Sequence, residues 1–492
     1  MTFGPASRSL FGLLCLLIVI CAVIAVVAIR KHRPLRAVLA TVLAGTMAMG
    51  GIGILANREG QFVFTWQQLA DWLKGTDAVA VPQGIAPAID PETAAADPAY
   101  HADFIPAGDS VPSKGAPRGE YKVVTWKGPQ SGIESNVVVW LPDGWQNMSN
   151  LNVLTLLHGH PGKPHPVPEA LNMDKVMAEA IDSGKLPPTM VVLPQLRIDD
   201  QEPDCIDTVN RPKCGTWVAR DVPTMIKANF PVSHDPAKWA IGGYSSGAYC
   251  AGVMGVIAQD VFKTAMIFSG YDVPVVGSLQ NASPRIKAEY TLSNMIAKME
   301  HPQILASSSG ADLDANKLVE NLGHIDPGDG VITLHYEPSG GHGWVYWEKE
   351  FPRVVDWLGQ IAAKQAESSN ADVTAEAPFH QSIYAVYTIV AAAFALWAVT
   401  LIWRLRYYRQ PDALASHELV LETSARESSP DARRDGRLAQ TGRLLMDLLP
   451  VIIGIAAVTL GIGMAINHAI GTIGSPADLW GFLVKITPRS LL

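Results

Sequence analysis

At 492 residues the chain has room for two or three domains, and with a net charge of −8 no nucleic-acid partner is expected of it. Its apolar share is 48% and its charged share only 17%, which excludes an ordinary soluble composition along the whole length. The apolar excess is confined to four stretches.

The first is residues 10–29, "LFGLLCLLIVICAVIAVVAI", and the second 37–56, "AVLATVLAGTMAMGGIGILA". Residues 383–403, "IYAVYTIVAAAFALWAVTLIW", and 448–466, "LLPVIIGIAAVTLGIGMAI", repeat the pattern. Each matches the ~20 residues that a helix needs to cross ~30 Å of hydrocarbon. The first run exceeds a signal core of about 7–15 residues. No basic cluster precedes it and no small-x-small site follows before Arg30, so it reads as a retained membrane helix. "RKHRPLR" (30–36) holds four Lys or Arg residues and 404–443 holds eight arginines, so both loops are predicted to be cytoplasmic. Residues 57–382 and both termini then lie outside.

Residues 61–75, "QFVFTWQQLADWLKG", have the spacing of a short helix lying on a membrane surface. An Ala/Pro/Asp/Gly-rich stretch follows from 76 to 117, a tether or wrapping loop. From 118 to 362, apolar strands alternate with helical patterns. "YKVVTW" and "NVVVWLP" lead, followed by "VLTLL", "MVVL", "KWAIGG", "TAMIFS", "QILAS" and "VITLHY". Apolar strands interleaved with helices predict a mostly parallel sheet covered on both faces. The expected organisation is two membrane helices (1–58), an extracytoplasmic linker (59–117) and an α/β domain (118–362). A second linker (363–382), a membrane helix (383–403), a cytoplasmic loop (404–447), a membrane helix (448–467) and an outer tail (468–492) complete it.

Functional groups in such sheets collect at the carboxyl ends of the strands. Ser245 sits there in "GGYSSG", between a strand and a helix, as Gly243-Tyr244-Ser245-Ser246-Gly247. That is the G-x-S-x-G elbow, which lifts a nucleophilic hydroxyl clear of the sheet. His342, in "SGGHGW", follows "VITLHY", and Asp312, in "GADLD", follows "QILAS"; Asp314 is the alternative acid. A serine hydroxyl becomes nucleophilic when an imidazole takes its proton, and a carboxylate holds that imidazole's tautomer. "LLHGHPG" (156–162) ends an earlier strand, and its turn aims the N–H of His160 beside that of Ser246 as an oxyanion hole. His158, His160 and His165 lack the spacing of a metal site, and neither metal nor cofactor is expected. Cys205 and Cys214 flank a polar outer loop and are predicted to form a disulfide, with Cys250 a buried thiol. Trp344 and Trp347 divide between core packing and a sugar platform. Arg220-Asp221 reads as a structural pair.

These blocks resemble an esterase family that includes esterase D-type hydrolases and the secreted mycolyltransferases of actinobacterial cell walls. "VLTLLHGHPG", "WAIGGYSSGAYCA" and "GGHGWVYWEKEFPRVVDWL" carry the resemblance, which spans roughly 118–362. It implies Ser245 as the acyl-accepting nucleophile, His342 as general base, and the His160 and Ser246 N–H groups as oxyanion donors. The chain departs from the mycolyltransferase branch in its compact acid loop and in Gly343, where that branch has serine. The expected function is a membrane-anchored, extracytoplasmic esterase or acyltransferase working through an acyl-serine. Its substrate would be an acyl ester or a glycolipid-like molecule, with transfer to an envelope sugar as one outcome. A non-catalytic receptor or scaffold is the competing class, and a serine peptidase ranks last.

Overall fold

The computed structural model describes residues 4–60, 66, 81–90, 93, 96–198, 205–410 and 430–486. The helix expected over 61–75, residue 66 aside, lies outside the described residues, as does 411–429 of the basic loop. The chain forms two compact units. One comprises Met1–Ala70, Ile383–Ile470 and Phe482–Leu492; the other comprises Asp71–Ser382 together with Gly471–Gly481.

The second unit is built on a nine-stranded sheet. Two short strands come first: β1 (Pro82–Gln83), outside that sheet, and β2 (Ile105–Pro106), at its edge. Then come β3 (Glu120–Lys127), β4 (Glu134–Leu141), β5 (Asn152–Leu157) and β6 (Thr189–Pro194), and β7 (Asp207–Thr208), which pairs with β1 in a separate two-stranded sheet. The remainder are β8 (Trp239–Tyr244), β9 (Thr264–Phe268), β10 (Gln303–Ser309) and β11 (Val331–Glu337). The order across the sheet is β2-β3-β4-β6-β5-β8-β9-β10-β11. The six strands from β6 to β11 run parallel, while β2, β3 and β4 join by antiparallel pairing. It is an α/β-hydrolase fold.

Alternation sends successive side chains to opposite faces. Val137 and Val139 enter one core with Trp217, Trp239 and Met225; Val138 and Trp140 enter the other with Met177, Phe351 and Val355. Both faces are therefore covered by helices, and the strands can be apolar throughout. Each fully buried Val, Leu or Phe contributes about 1.5–3 kcal/mol, so this double core dominates the unit's stability.

The residues before β3 wrap the domain. β1 pairs with β7, Tyr100 is buried and packs at a tilt against Trp126, and β2 extends the sheet edge. Two local features add to the sequence reading. Arg220 and Asp221 are adjacent on a helical turn and diverge, as neighbours on a helix must. Arg220 pairs with Asp260 at 3.1 Å, while Asp221 accepts from the Gln130 and Ser131 N–H groups and holds that turn. The region after residue 467, read from sequence as a tail, contains the helix Pro476–Ile486. Its start is a capping box: Ser475 Oγ accepts from Asp478 N–H and donates to Asp478 Oδ2, with Pro476 at the first turn.

In the first unit, Arg8–Arg30, Pro34–Arg58, Ile383–Tyr407 and Gln440–His468 are long and apolar enough to cross a membrane. They meet through small residues: a Cβ on Gly45 would lie 2.6 Å from Val458 Cβ, and Thr459 Oγ1 donates to Gly45 O at 3.1 Å. Asp447, fully buried, accepts from Arg30 at 2.6 Å, Arg404 at 2.6 Å and Tyr408 at 2.9 Å.

Candidate active site

Three strand ends assemble the site. β8 delivers Ser245, which takes φ 58° and ψ −128° before the helix Ser246–Ile257 begins. A non-glycine residue rarely occupies that region, and the strain is the mark of an elbow that exposes a nucleophile. The flanking glycines are required by close approach. A Cβ on Gly243 would lie 2.5 Å from Gly247 C and 2.7 Å from Leu157 O, and one on Gly247 would lie 2.5 Å from His158 O. The elbow thus closes against the end of β5.

β10 delivers Asp312, which is buried and caps the helix Leu313–Leu322. β11 delivers His342. Its Nε2 lies 2.8 Å from Ser245 Oγ and its Nδ1 2.9 Å from Asp312 Oδ2. The carboxylate accepts the Nδ1 proton, which leaves Nε2 with a lone pair facing the serine hydroxyl. Burial disfavours the charged imidazole, but Asp312, by charge and hydrogen bond, outweighs it with help from Asp314, so the His342 pKa is raised above 6.5. Asp314 is exposed on the first turn of its helix and acts on His342 only through space. Of the two candidate acids, the structure brings Asp312 into contact.

Under the histidine lies an aromatic bed. Trp347 meets the His342 ring edge-on at 5.2 Å and packs on Tyr244 at 4.5 Å, while Trp344 meets Tyr244 at 4.8 Å. Trp347 is buried and so belongs to the core; Trp344 is partly exposed.

The turn after β5 passes beside the elbow: a Cβ on Gly159 would stand 3.0 Å from Ser245 Cβ. Nothing in the sequence marks a role for His158, yet it organises this turn. Fully enclosed, its Nε2 accepts from Leu196 N–H at 3.0 Å, so Nδ1 carries the proton and donates to Gly159 O at 2.8 Å. Burial pushes its pKa down to about 4, and it stays neutral. Across a trans peptide, C=O and N–H point in opposite directions. Anchoring the Gly159 carbonyl therefore turns the His160 N–H to the other side of that peptide. Ser246, the other candidate donor, opens a helix whose first N–H groups have no partner within it.

The disulfide differs from the expected one. Cys205 bonds to Cys250, with Cα atoms 4.8 Å apart, and Cys214 keeps its thiol 3.8 Å from Leu196 O. The polar loop is spent otherwise: β7 pairs with β1, and Asp207 accepts from Thr216 N and Oγ1. This draws the loop away from a Cys205–Cys214 closure and leaves Cys205 against the helix that follows Ser245. Cys250 is buried, as its apolar neighbours predict, but as half of the bridge.

Among solved structures, the chain is similar to an S-formylglutathione hydrolase from Agrobacterium tumefaciens, 16% identical, with a TM-score of 0.41 over 51% of this chain and 98% of that one. It is also similar to the fluorophosphonate-binding serine hydrolase F of Staphylococcus aureus, 17% identical, with a TM-score of 0.40 over 49% and 99% of the two chains. A curated relative, an uncharacterized protein of Corynebacterium glutamicum, is 26% identical over 244 residues, covering 46% of this chain and 56% of the relative. The chain therefore spans little more than half of that relative's length. Residues 129–358 match the sequence profile of the family described as "Putative esterase". By that match, residues 129–358 form a domain of the esterase family.

Proposed function

We propose that this chain is a membrane-anchored esterase or acyltransferase whose nucleophile is Ser245 and whose site faces the extracytoplasmic side. The observation that carries the reading is the unbroken relay Ser245–His342–Asp312, at 2.8 and 2.9 Å, beginning at a strained serine. Ser245 Oγ attacks the acyl carbonyl as its proton passes to His342 Nε2. The Asp312 carboxylate holds the resulting imidazolium. The His160 and Ser246 N–H groups receive the oxyanion, and removal of one such donor typically costs about 2.7–4 kcal/mol of transition-state stabilisation. The intermediate collapses, the alcohol leaves with the proton from His342, and an acyl-serine remains. Water or a second hydroxyl then completes hydrolysis or transfer.

Two features support the location. The basic loops at 30–36 and 404–443 favour the cytoplasmic side, and the Cys205–Cys250 bridge suits an oxidising compartment. An acyl ester held at or in the envelope suits an anchored enzyme.

A fluorophosphonate probe tests the chemistry on the full chain. Wild type is labelled and Ser245→Ala is not; a well-folded wild-type chain that resists the probe favours the scaffold reading. A reporter active only in the cytoplasm tests the topology: it works when fused near residue 420 and is silent near residue 370.

A further inference from the structure

Residues Gly471–Gly481 follow the helix Pro430–Ile470 in the chain, yet they belong to the catalytic unit. They reach the two loops that carry the acid and the base. The His342 N–H donates to Gly471 O at 2.9 Å. A Cβ on Gly341, the residue before His342, would lie 2.6 Å from both Gly471 O and Thr472 O. On the acid side, Gly471, at φ +63°, backs onto the Ala311 carbonyl, and a Cβ on Gly474 would stand 2.9 Å from Ala311 Cβ. That same Cβ would overlap the Gly340 carbonyl oxygen outright. The two loops are already tied to one another, Gly310 N–H to Glu337 O at 3.0 Å and Ala311 N–H to Gly340 O at 3.0 Å. The segment lies across that junction.

It is itself fixed. Gly474 N–H donates to Asp478 Oδ2 at 3.0 Å, and Ser475 and Asp478 are buried in the capping box described above. A carboxylate that closes a helix start and also holds the preceding glycine gives the strap one conformation.

We infer that Gly471–Asp478 is a positioning strap: it sets the separation of the Asp312 and His342 loops, and so the alignment of His342 Nε2 on Ser245, without touching substrate. The inference rests on the proposed relay. It explains why glycine stands at 341, 471 and 474, where backbone meets backbone with no room for a side chain.

The test uses the full-length chain with three variants: Gly474→Ala, which pushes the strap from the Gly340 carbonyl; Asp478→Ala, which loosens it without adding bulk; and Gly84→Ala, whose added methyl meets open space. Fluorophosphonate labelling rate, kcat and KM on a p-nitrophenyl acyl ester, and melting temperature are measured for each. A displacement of about an ångström at a catalytic group lowers turnover by roughly 10- to 100-fold. Gly474→Ala is expected to lose that much in kcat and labelling rate with KM little changed, Asp478→Ala less, and Gly84→Ala nothing. A folded Gly474→Ala with wild-type kcat overturns the inference, as does a loss confined to melting temperature and yield. Should Gly474→Ala fail to fold, Asp478→Ala decides by the same criteria. A wild-type chain that takes no probe while folded overturns the relay and the strap together; labelling abolished by Ser245→Ala but untouched in both strap variants removes the strap alone.

Discussion

The two units of this chain use apolar residues in opposite ways. In the catalytic unit, Val137, Val138, Val139 and Trp140 are wholly buried, and the sheet is sealed on both faces. In the helical unit, Leu16 and Val19 are 56% and 59% exposed, while Asp447, Arg404 and Thr41 are buried. Water drives the first arrangement by expelling apolar surface. The second has the composition of helices that cross a bilayer, and in lipid, which is as apolar as leucine, association falls to close backbone packing and to polar contacts kept inside. Polar burial consequently means different things in the two units. In the helical unit it ties helix to helix; in the other it serves both structural turns, as at Asp207 and Asp221, and the Asp312 contact to His342.

That contrast predicts two kinds of failure. Asp312→Asn should leave the catalytic unit folded and lower kcat by about 10⁴-fold, because the amide presents an N–H where His342 Nδ1 needs an acceptor. Steady-state kinetics beside a melting curve checks this, and a large loss of melting temperature with modest loss of rate would break the contrast. Asp447→Ala should do the reverse. Removing one partner of a buried pair leaves Arg404 uncompensated, at about 3–5 kcal/mol. The loss should be seen in melting temperature and membrane yield, with kcat per probe-labelled molecule retained.

A smaller effect separates the cysteines. Cys205→Ser opens a bridge closing 45 residues, and loss of such a bridge costs about 2–4 kcal/mol. Cys214→Ser should be nearly neutral. Thermal melts of the two variants, with and without reductant, rank them, and equal losses would return the pairing to Cys205–Cys214.

These cysteines also mark where sequence reading stops. The parallel strands β5, β6, β8, β9, β10 and β11 are legible because runs such as "VLTLL" and "TAMIF" can be apolar only when buried on both faces. Ser245 is legible because an elbow needs small neighbours at fixed offsets. Pairings set by the path of the chain are not legible. Cys250 lies only five residues beyond Ser245, yet its partner depends on how β7 is drawn towards β1. The role of His158 is hidden for a related reason, since its meaning lies in Leu196 N–H, 38 residues away. The strap is the extreme case: nothing local in "GTIGSPAD" announces a contact with His342, although the Ser475–Asp478 spacing does announce a helix start.

The smallest predicted effect bears on how the two aspartates divide their work. His342 must be neutral at Nε2 to accept the serine proton, so kcat/KM falls as pH drops through its pKa. That pKa is raised above 6.5: burial opposes the charge, but Asp312 and, at longer range, Asp314 favour it more strongly. The acid limb should therefore lie above pH 6.5. Asp314→Asn removes only a through-space charge at an exposed position, which water and salt screen. It should move the limb slightly towards lower pH, leave the plateau unchanged, and lose its effect as ionic strength rises. Asp312→Asn cannot be read that way, because it removes the plateau itself. A fall in plateau for Asp314→Asn comparable to that for Asp312→Asn would mean that the catalytic unit shares its acid between two carboxylates, and the concentration of chemistry on one buried contact would no longer distinguish it from the helical unit.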